Sequence, residues 1–395
     1  MAKAGIMFFG RGLILLGCAA LVVSGDATVA ADAPVAAATN APAQAAPSTA
    51  TNAPVAAATN VPAQAAPSTA TNAPPKPAKR PEWPPGVPNS PDVLPGNGLA
   101  QHPFLYTGEW DTRKPDAQSM FIVRGGKIVW QYSIPMKAAR GGVEEFDDVT
   151  MLPDGNILFS RMSGAGIVTP DKKLVWEYNA PLGTEVHSAQ SIGKDRVLIM
   201  RNGNPAQAMI FNTASNTVEK VIPIPTTIKG THGQFRHIRM TPAGTILVPH
   251  MSEGKVVEYD LNGNVVWSVK EANVWGAVRL KNGNTLVSTD ARCSVLELNP
   301  KGETVWEFNQ SDVPNIRLLD IQGAYRLANG NTVMCNWCSG KLGKTPADWP
   351  STVQVLEVTP DKKVVWALRS WQDPADLGTA TEIQLLDQPP GSDQR

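Results

Sequence analysis

The chain has 395 residues, 42% of them apolar, with Lys plus Arg and Asp plus Glu both at 35, and four cysteines. A net charge of zero sets aside nucleic acid and an acidic membrane surface as partners. Much of the apolar count is alanine within the first 75 residues, so the folded part is shorter than the chain.

Lys3 and Arg11 precede an apolar run from Leu13 to Val23 and small residues at Val29-Ala30-Ala31, the layout of an export signal. Residues 1–31 are expected to be that signal, which places the mature protein in the periplasm or outside the cell. Leu15-Leu16-Gly17-Cys18 resembles the lipobox of bacterial lipoproteins and makes Cys18 the alternative, a lipidated first residue tethered to a membrane. From Ala33 the segment APVAAATNAPAQAAPSTATN repeats with a period of 20, and Pro-rich sequence continues to about Asn97. Such a tract has no large apolar residues to bury, so residues 32–97 are expected to form a disordered linker.

The domain expected over residues 98–390, ahead of a short tail at 391–395, says one thing several times. Its clearest copy runs from Gly244 to Trp267, GTILVPHMSEGKVVEYDLNGNVVW, and the word recurs at Gly155–Trp176, Gly283–Trp306 and, with an insertion, Gly330–Trp366. Gly-Asn and Asn-Gly turns separate runs rich in β-branched residues, which read as antiparallel strands. The closing tryptophans stand at Trp130, Trp176, Trp267, Trp306 and Trp366, and the long step between Trp176 and Trp267 hides a sixth copy with Glu219 in place of Trp. Six four-stranded units in about 290 residues predict an all-β fold, a six-bladed β-propeller. The first unit lacks an inner strand and Thr381–Gln388 is a spare one, so the N- and C-terminal strands are expected to close the ring and leave no open edge.

Inner strands of a propeller begin at one mouth of its channel. Eight residues ahead of each turn glycine, or of its aligned position Asp195, stand Asp147, His187, Arg236, Trp275 and Gln322; seven ahead stand Asp148, Ser188, His237, Gly276 and Gly323. A structural ring would repeat one residue type, whereas this one diverges, which points to a ligand site. Asp147, Asp148, Arg236, Trp275 and Gln322 are the candidate ligand-binding residues and His187 and His237 the candidate catalytic ones. The two glycines are expected to leave room, and the imidazole and guanidinium donors to favour a small anion. His102, His232 and His250 read as ordinary surface residues. Cys335 and Cys338, with Cys293 on another blade, suggest a disulfide, while the absence of His after Cys338 excludes a c-type haem attachment and no metal set is apparent.

The words EYDLNGNVVW, ELNPKGETVW, EVTPDKKVVW and IVTPDKKLVW resemble the repeat of the pyrroloquinoline quinone (PQQ)-like propellers. DDVTMLPDGNILFSR and HSAQSIGKDRVLIMR are similar to segments of the bacterial arylsulfotransferases, exported six-bladed propellers, and the resemblance covers residues 100 to 388. It implies sulfuryl transfer through a channel histidine, with His187, Arg236 and His237 at the matching positions, and it leaves PQQ as a cofactor by resemblance only. The reading from the residues themselves is an exported, monomeric propeller that binds a ligand or a protein or cell-surface partner at its channel mouth without turnover. Sulfuryl transfer and a PQQ-holding redox protein are the alternatives.

Overall fold

The computed structural model describes residues 90–139, 141–339 and 346–389. The segment expected to be an export signal, Cys18, the 20-residue repeats and the tail expected at 391–395 lie outside the described residues. Six four-stranded antiparallel sheets follow one another along the chain. Blade 2 comprises strands Phe146–Met151, Ile157–Arg161, Gly164–Val168 and Leu174–Asn179, and blade 3 comprises Glu185–Ser191, Arg196–Asn202, Ala206–Asn212 and Thr217–Ile224. Blade 4 runs Arg239–Met240, Ile246–His250, Lys255–Tyr259 and Val265–Lys270, and blade 5 runs Val274–Arg279, Thr285–Thr289, Ser294–Leu298 and Thr304–Phe308. Blade 6 is Asp320–Arg326, Thr332–Trp337, Val355–Val358 and Val364–Leu368.

Blade 1 is built from both ends of the domain. Glu382–Leu385 forms its inner strand against Phe104–Thr107, with Phe104 opposite Leu385 and Thr107 opposite Glu382, and Ala117–Arg124 and Lys127–Pro135 complete it. The expected closure is therefore present, and the inner edge of Phe104–Thr107 is paired rather than open.

Each pair of neighbouring blades shares one apolar core. Leu105, Met120 and Ile134 of blade 1 meet Phe146, Val149 and Phe159 of blade 2, and Phe104, Phe121 and Ile383 of blade 1 meet Val333, Val355 and Trp366 of blade 6 across the seam. The recurring tryptophans tie these layers together. The indole N–H of Trp130 donates to the Pro170 carbonyl of the next blade, Trp176 to Asn216 Oδ1, Trp267 to the Pro300 carbonyl and Trp306 to the Pro360 carbonyl. Trp366 does the same across the seam, to Gly98. Blade 3 carries Glu219 at this place and pairs it within the blade to Arg196, so the staple to blade 4 is missing. The tryptophan series is thus structural, as an amphipathic ring with an apolar body and one donor suits an inter-blade contact.

Packed chain begins ahead of residue 98. Arg369 donates to the carbonyls of Ser90 and Asp92, Ala367 N–H donates to Pro95, and Leu94 lies against the core shared by blades 5 and 6.

The three domain cysteines are buried thiols rather than a disulfide, which corrects the expectation for Cys293, Cys335 and Cys338. Side chains alternate along a strand, so residues three apart point to opposite faces. Cys335 enters the core between blades 6 and 1, Cys338 a separate cluster with Leu319, Trp349 and Trp371, and Cys293 the core between blades 5 and 6.

Two histidines expected at the surface are not there. His250 is fully buried between Glu253 and Tyr259, and burial, followed by the charge of Lys255, pulls its pKa down to about 4. His102 sits at the seam, with Nε2 2.9 Å from Glu357 of blade 6 and Nδ1 2.7 Å from Asp387 just after the closing strand. Burial lowers its pKa, but hydrogen bonds and charge from Glu357 and Asp387 outweigh that and raise it above the ordinary value of 6.5. A raised folded-state value stabilises the fold fully below the unfolded value, and the contribution fades as pH rises through the folded one. His102→Gln should therefore lower the melting temperature clearly at a pH of about 5.5 and by much less at about 9. Equal losses at both pH values would show that the seam does not depend on the charge.

Candidate functional site

The first-layer residues Asp147, His187, Trp275 and Gln322 are ones that the inner ladders skip. In blades 2, 3, 5 and 6 the inner ladder slips between Phe146 and Val149, Val186 and Ser188, Val274 and Gly276, and Ile321 and Ala324. In blade 4 the regular strand starts only at Arg239, after a lone bridge at Phe235. A bulge releases both parities of a strand toward one side. That is why Asp147 and Asp148, neighbours in sequence, both turn toward the channel, and why two ring layers exist.

The first layer gathers Asp147, His187, Arg236, Trp275 and Gln322 as expected, all 6% exposed or less. His187 is clamped at both nitrogens: Nδ1 lies 3.0 Å from Asp147 Oδ1 and Nε2 2.9 Å from Glu185 Oε2. Arg236 donates through Nη1 to the carbonyls of His232 and Phe235, at 2.6 and 3.0 Å, and its guanidinium lies 4.8 Å over the Trp275 ring. Gln322 donates to Glu109 Oε1 at 2.8 Å.

Glu109, from the end of the Phe104–Thr107 segment, also meets Asp147, and this carboxyl pair defines the electrostatics of the layer. Burial pushes both pKa values well up; Arg236 pulls both back, and the shared hydrogen bond raises Glu109, the donor, while lowering Asp147. Glu145, also buried, is raised by burial first and then by the charges of Glu109 and Asp147. Burial raises the Glu185 pKa too, but hydrogen bonds from His187 and His232 hold it well below the usual carboxylate range. His187 is lowered, by burial and then by Arg236. Four carboxyl groups thus surround one guanidinium. The sequence reading set Asp147 and Asp148 beside His187, Arg236 and His237 and expected the donors to prevail; Glu109, Glu145 and Glu185 add to the acidic side.

The second layer is a closed network. Arg239 binds Asp148 through both terminal nitrogens at 2.8 and 3.1 Å and reaches Ser188 Oγ and Tyr325 OH, each at 3.3 Å. Tyr325 OH donates to Glu382, whose Oε2 also lies 3.3 Å from His237 Nδ1, a charge contact without hydrogen-bond geometry. Asp148, His237 and Glu382 would suit a metal by type. Arg239 already occupies the centre of that set. The cavity bounded by His237, Arg239, Gly276, Gly323 and Tyr325 has room for about one water molecule.

Gly276 and Gly323 do not open space for a ligand. A Cβ on Gly323 would stand 3.0 Å from Glu382 Oε2 and from the Thr381 carbonyl, and one on Gly276 3.1 Å from Ser288 Oγ. At Gly323 the backbone of the neighbouring strand takes the space, and at Gly276 the Ser288 hydroxyl does. The two candidate catalytic histidines belong to different layers; the imidazole that meets His187 is that of His232, 5.3 Å between ring centroids.

Glu109, Glu145, Glu185, His232, Arg239, Tyr325 and Glu382 escaped the sequence reading, although part of the signal was available. Ten residues ahead of the turn stand Glu145, Glu185, Gln234, Asn273 and Asp320, polar in all five copies. The same parity as the eighth position carries these toward the same side, as the parity of the seventh carries Arg239 and Tyr325 at the fifth. His232 lies in the loop before blade 4, and Glu109 and Glu382 come from the blade that the two chain ends share, where no repeat could align them.

No protein-family model and no curated protein matches the chain. Among solved structures it is similar to a protein of unknown function from Bacteroides caccae, at 27% identity and a TM-score of 0.60 over 71% of this chain and 98% of that one. It is also similar, in fold alone, to virginiamycin B lyase from Staphylococcus aureus (13% identity, TM-score 0.44, 66% of this chain and 98% of that one) and to BamB from Moraxella catarrhalis (14%, 0.37, 55% and 61%). The chain is a six-bladed β-propeller.

Proposed function

We propose that this is an exported propeller that binds a small cation at the first-layer mouth of its channel, without turnover. One observation carries the reading. Asp147 Oδ2 and Glu109 Oε2 are buried, no ordinary donor among the described residues reaches either, and the two carboxyls meet, an arrangement that is stable only with a proton or another positive charge shared between them. Gln322 Oε1 is a third buried acceptor without a donor in the same layer. Sulfuryl transfer would bring a sulfate ester against four carboxyls, with both His187 nitrogens engaged and Arg236 held by backbone carbonyls; an anionic quinone meets the same obstacle. First-layer side chains exposed by 6% or less offer no face for a large ligand.

Trp275, stacked under Arg236, supplies a fluorescent reporter. Titration with ethylammonium, Ca²⁺ or Zn²⁺ should give a saturable signal for at least one of them, weakened about tenfold by Glu109→Gln, as expected for loss of one charge-assisted contact. Sulfate and a chromogenic aryl sulfate should give neither signal nor turnover. Saturation by the anions, with none by the cations, would overturn the reading.

A further inference from the structure

We infer that the rim of this mouth is a site for a divalent transition-metal ion, held by His187 Nε2, Glu185 Oε2 and His232 Nδ1. The inference rests on the reading of the mouth as a cation site and assigns the cation a chemical class and a ligand set. Glu185 Oε2 lies 2.9 Å from His187 Nε2 and 3.2 Å from His232 Nδ1, so two imidazoles from separate segments converge on one carboxylate oxygen. Candidate ligand atoms of the three residues all fall within 4.8 Å of one another. The rings stand nearly perpendicular, at 79°, with 5.3 Å between their centroids.

The surroundings orient this set as metal sites are oriented. His187 Nδ1 is 3.0 Å from Asp147 Oδ1, so a metal ion on Nε2 would leave the ring proton on Nδ1 to donate to that carboxyl group. A carboxylate behind a ligating imidazole fixes its tautomer and raises its basicity. In that state Nε2 and Glu185 Oε2, 2.9 Å apart, would both present lone pairs to the ion. Thr231 Oγ1 donates to Glu185 Oε1 at 3.0 Å, which leaves Oε2 for the shared point. Glu145 and Asp147 stand behind His187, their ligand atoms also within 4.8 Å of its own.

Two nitrogens and one carboxylate oxygen suit zinc, cobalt, nickel or copper rather than calcium or magnesium, which take oxygen ligands. Metal–ligand distances of about 2.0 to 2.2 Å in tetrahedral geometry spread the donors to about 3.3 to 3.6 Å. The contacts of Glu185 to the two imidazoles, 2.9 and 3.2 Å, open by a few tenths of an ångström to reach that spacing, and the His232 side chain, 57% exposed, has room to adjust. The same exposure leaves outer coordination positions to water or to a further ligand.

The test is calorimetric titration of the full chain with Zn²⁺, paired with the visible spectrum of the Co²⁺ form. One ion per chain should bind, and the Co²⁺ bands should be those of nitrogen and oxygen ligation. His232→Ala, at an exposed position, and Glu185→Gln should each lower Zn²⁺ affinity at least about tenfold, and Asp147→Asn about 10- to 100-fold through the tautomer of His187. His102→Gln should leave it unchanged. Wild-type protein that binds no Zn²⁺, or binds it unaltered by both His232→Ala and Glu185→Gln, overturns the inference. If ethylammonium or Ca²⁺ still saturates the Trp275 signal in that case, the cation reading survives and a proton holds the three residues together.

Discussion

A chain ending at Pro374 should fail to form a stable propeller. The lost segment carries Leu377, Ile383 and Leu385, each 4% exposed or less, and burial of side chains of this size contributes roughly 1.5 to 3 kcal/mol apiece. It also carries the four residues that pair with Phe104–Thr107, the carbonyls of Gly378 and Thr379 that accept from Tyr106 OH, and Glu382 of the channel network. The apolar term alone approaches the whole stability of an ordinary domain, roughly 5 to 15 kcal/mol. What remains would expose a strand edge and the apolar face of blades 6 and 1, so loss of the cooperative thermal transition, with aggregation, is the expected result. A truncated chain melting within a few degrees of the full one would show that the ring closes without that strand.

The closure was legible because strand count is a property of local sequence: one unit was a strand short and one strand had no unit. Blade number followed from Trp spacing for the same reason, and the Trp role came out structural because a repeated residue at a repeated place answers a repeated need. The site was half legible. Asp147, His187, Arg236, Trp275 and Gln322 share a layer because bulges recur at one repeat position, and aligned positions record that. What alignment could not carry was charge balance. Glu109 and Glu382 arrive from the two chain ends, and His232 from a loop whose contacts no period describes, so the sum of charges around Arg236 was open until the chain was folded. Gly276 and Gly323 failed for a related reason: a missing side chain is room only if no neighbouring strand takes the space, and Thr381 with Glu382 takes it at Gly323.

The second layer should prove to be a structural clasp, and Arg239 decides it. Its side chain is 4% exposed, burial lowers its pKa but the charges of Asp148, Tyr325 and Glu382 outweigh that, and it joins blade 4 to blades 2, 6 and 1. Arg239→Leu leaves Asp148 and Glu382 buried without their cation, a change that costs about 3 to 5 kcal/mol and lowers the melting temperature on the order of 10 °C. Arg239→Lys should not rescue it, since one ammonium cannot span both Asp148 oxygens as the guanidinium fork does. The double variant Arg239→Leu with Asp148→Leu should recover part of the loss, because the stranded charge goes with its partner, and non-additivity above about 1 kcal/mol in that cycle identifies the pair as the source. Cation binding at the first layer provides the control that a purely structural role leaves intact: below the melting transition, Zn²⁺ or ethylammonium should bind Arg239→Leu within about twofold of wild type, whereas Glu185→Gln lowers Zn²⁺ affinity and leaves the melt little changed in the absence of metal. An Arg239→Leu protein that melts like wild type yet no longer binds the cation would move Arg239 from the clasp into the site and join the two layers into one.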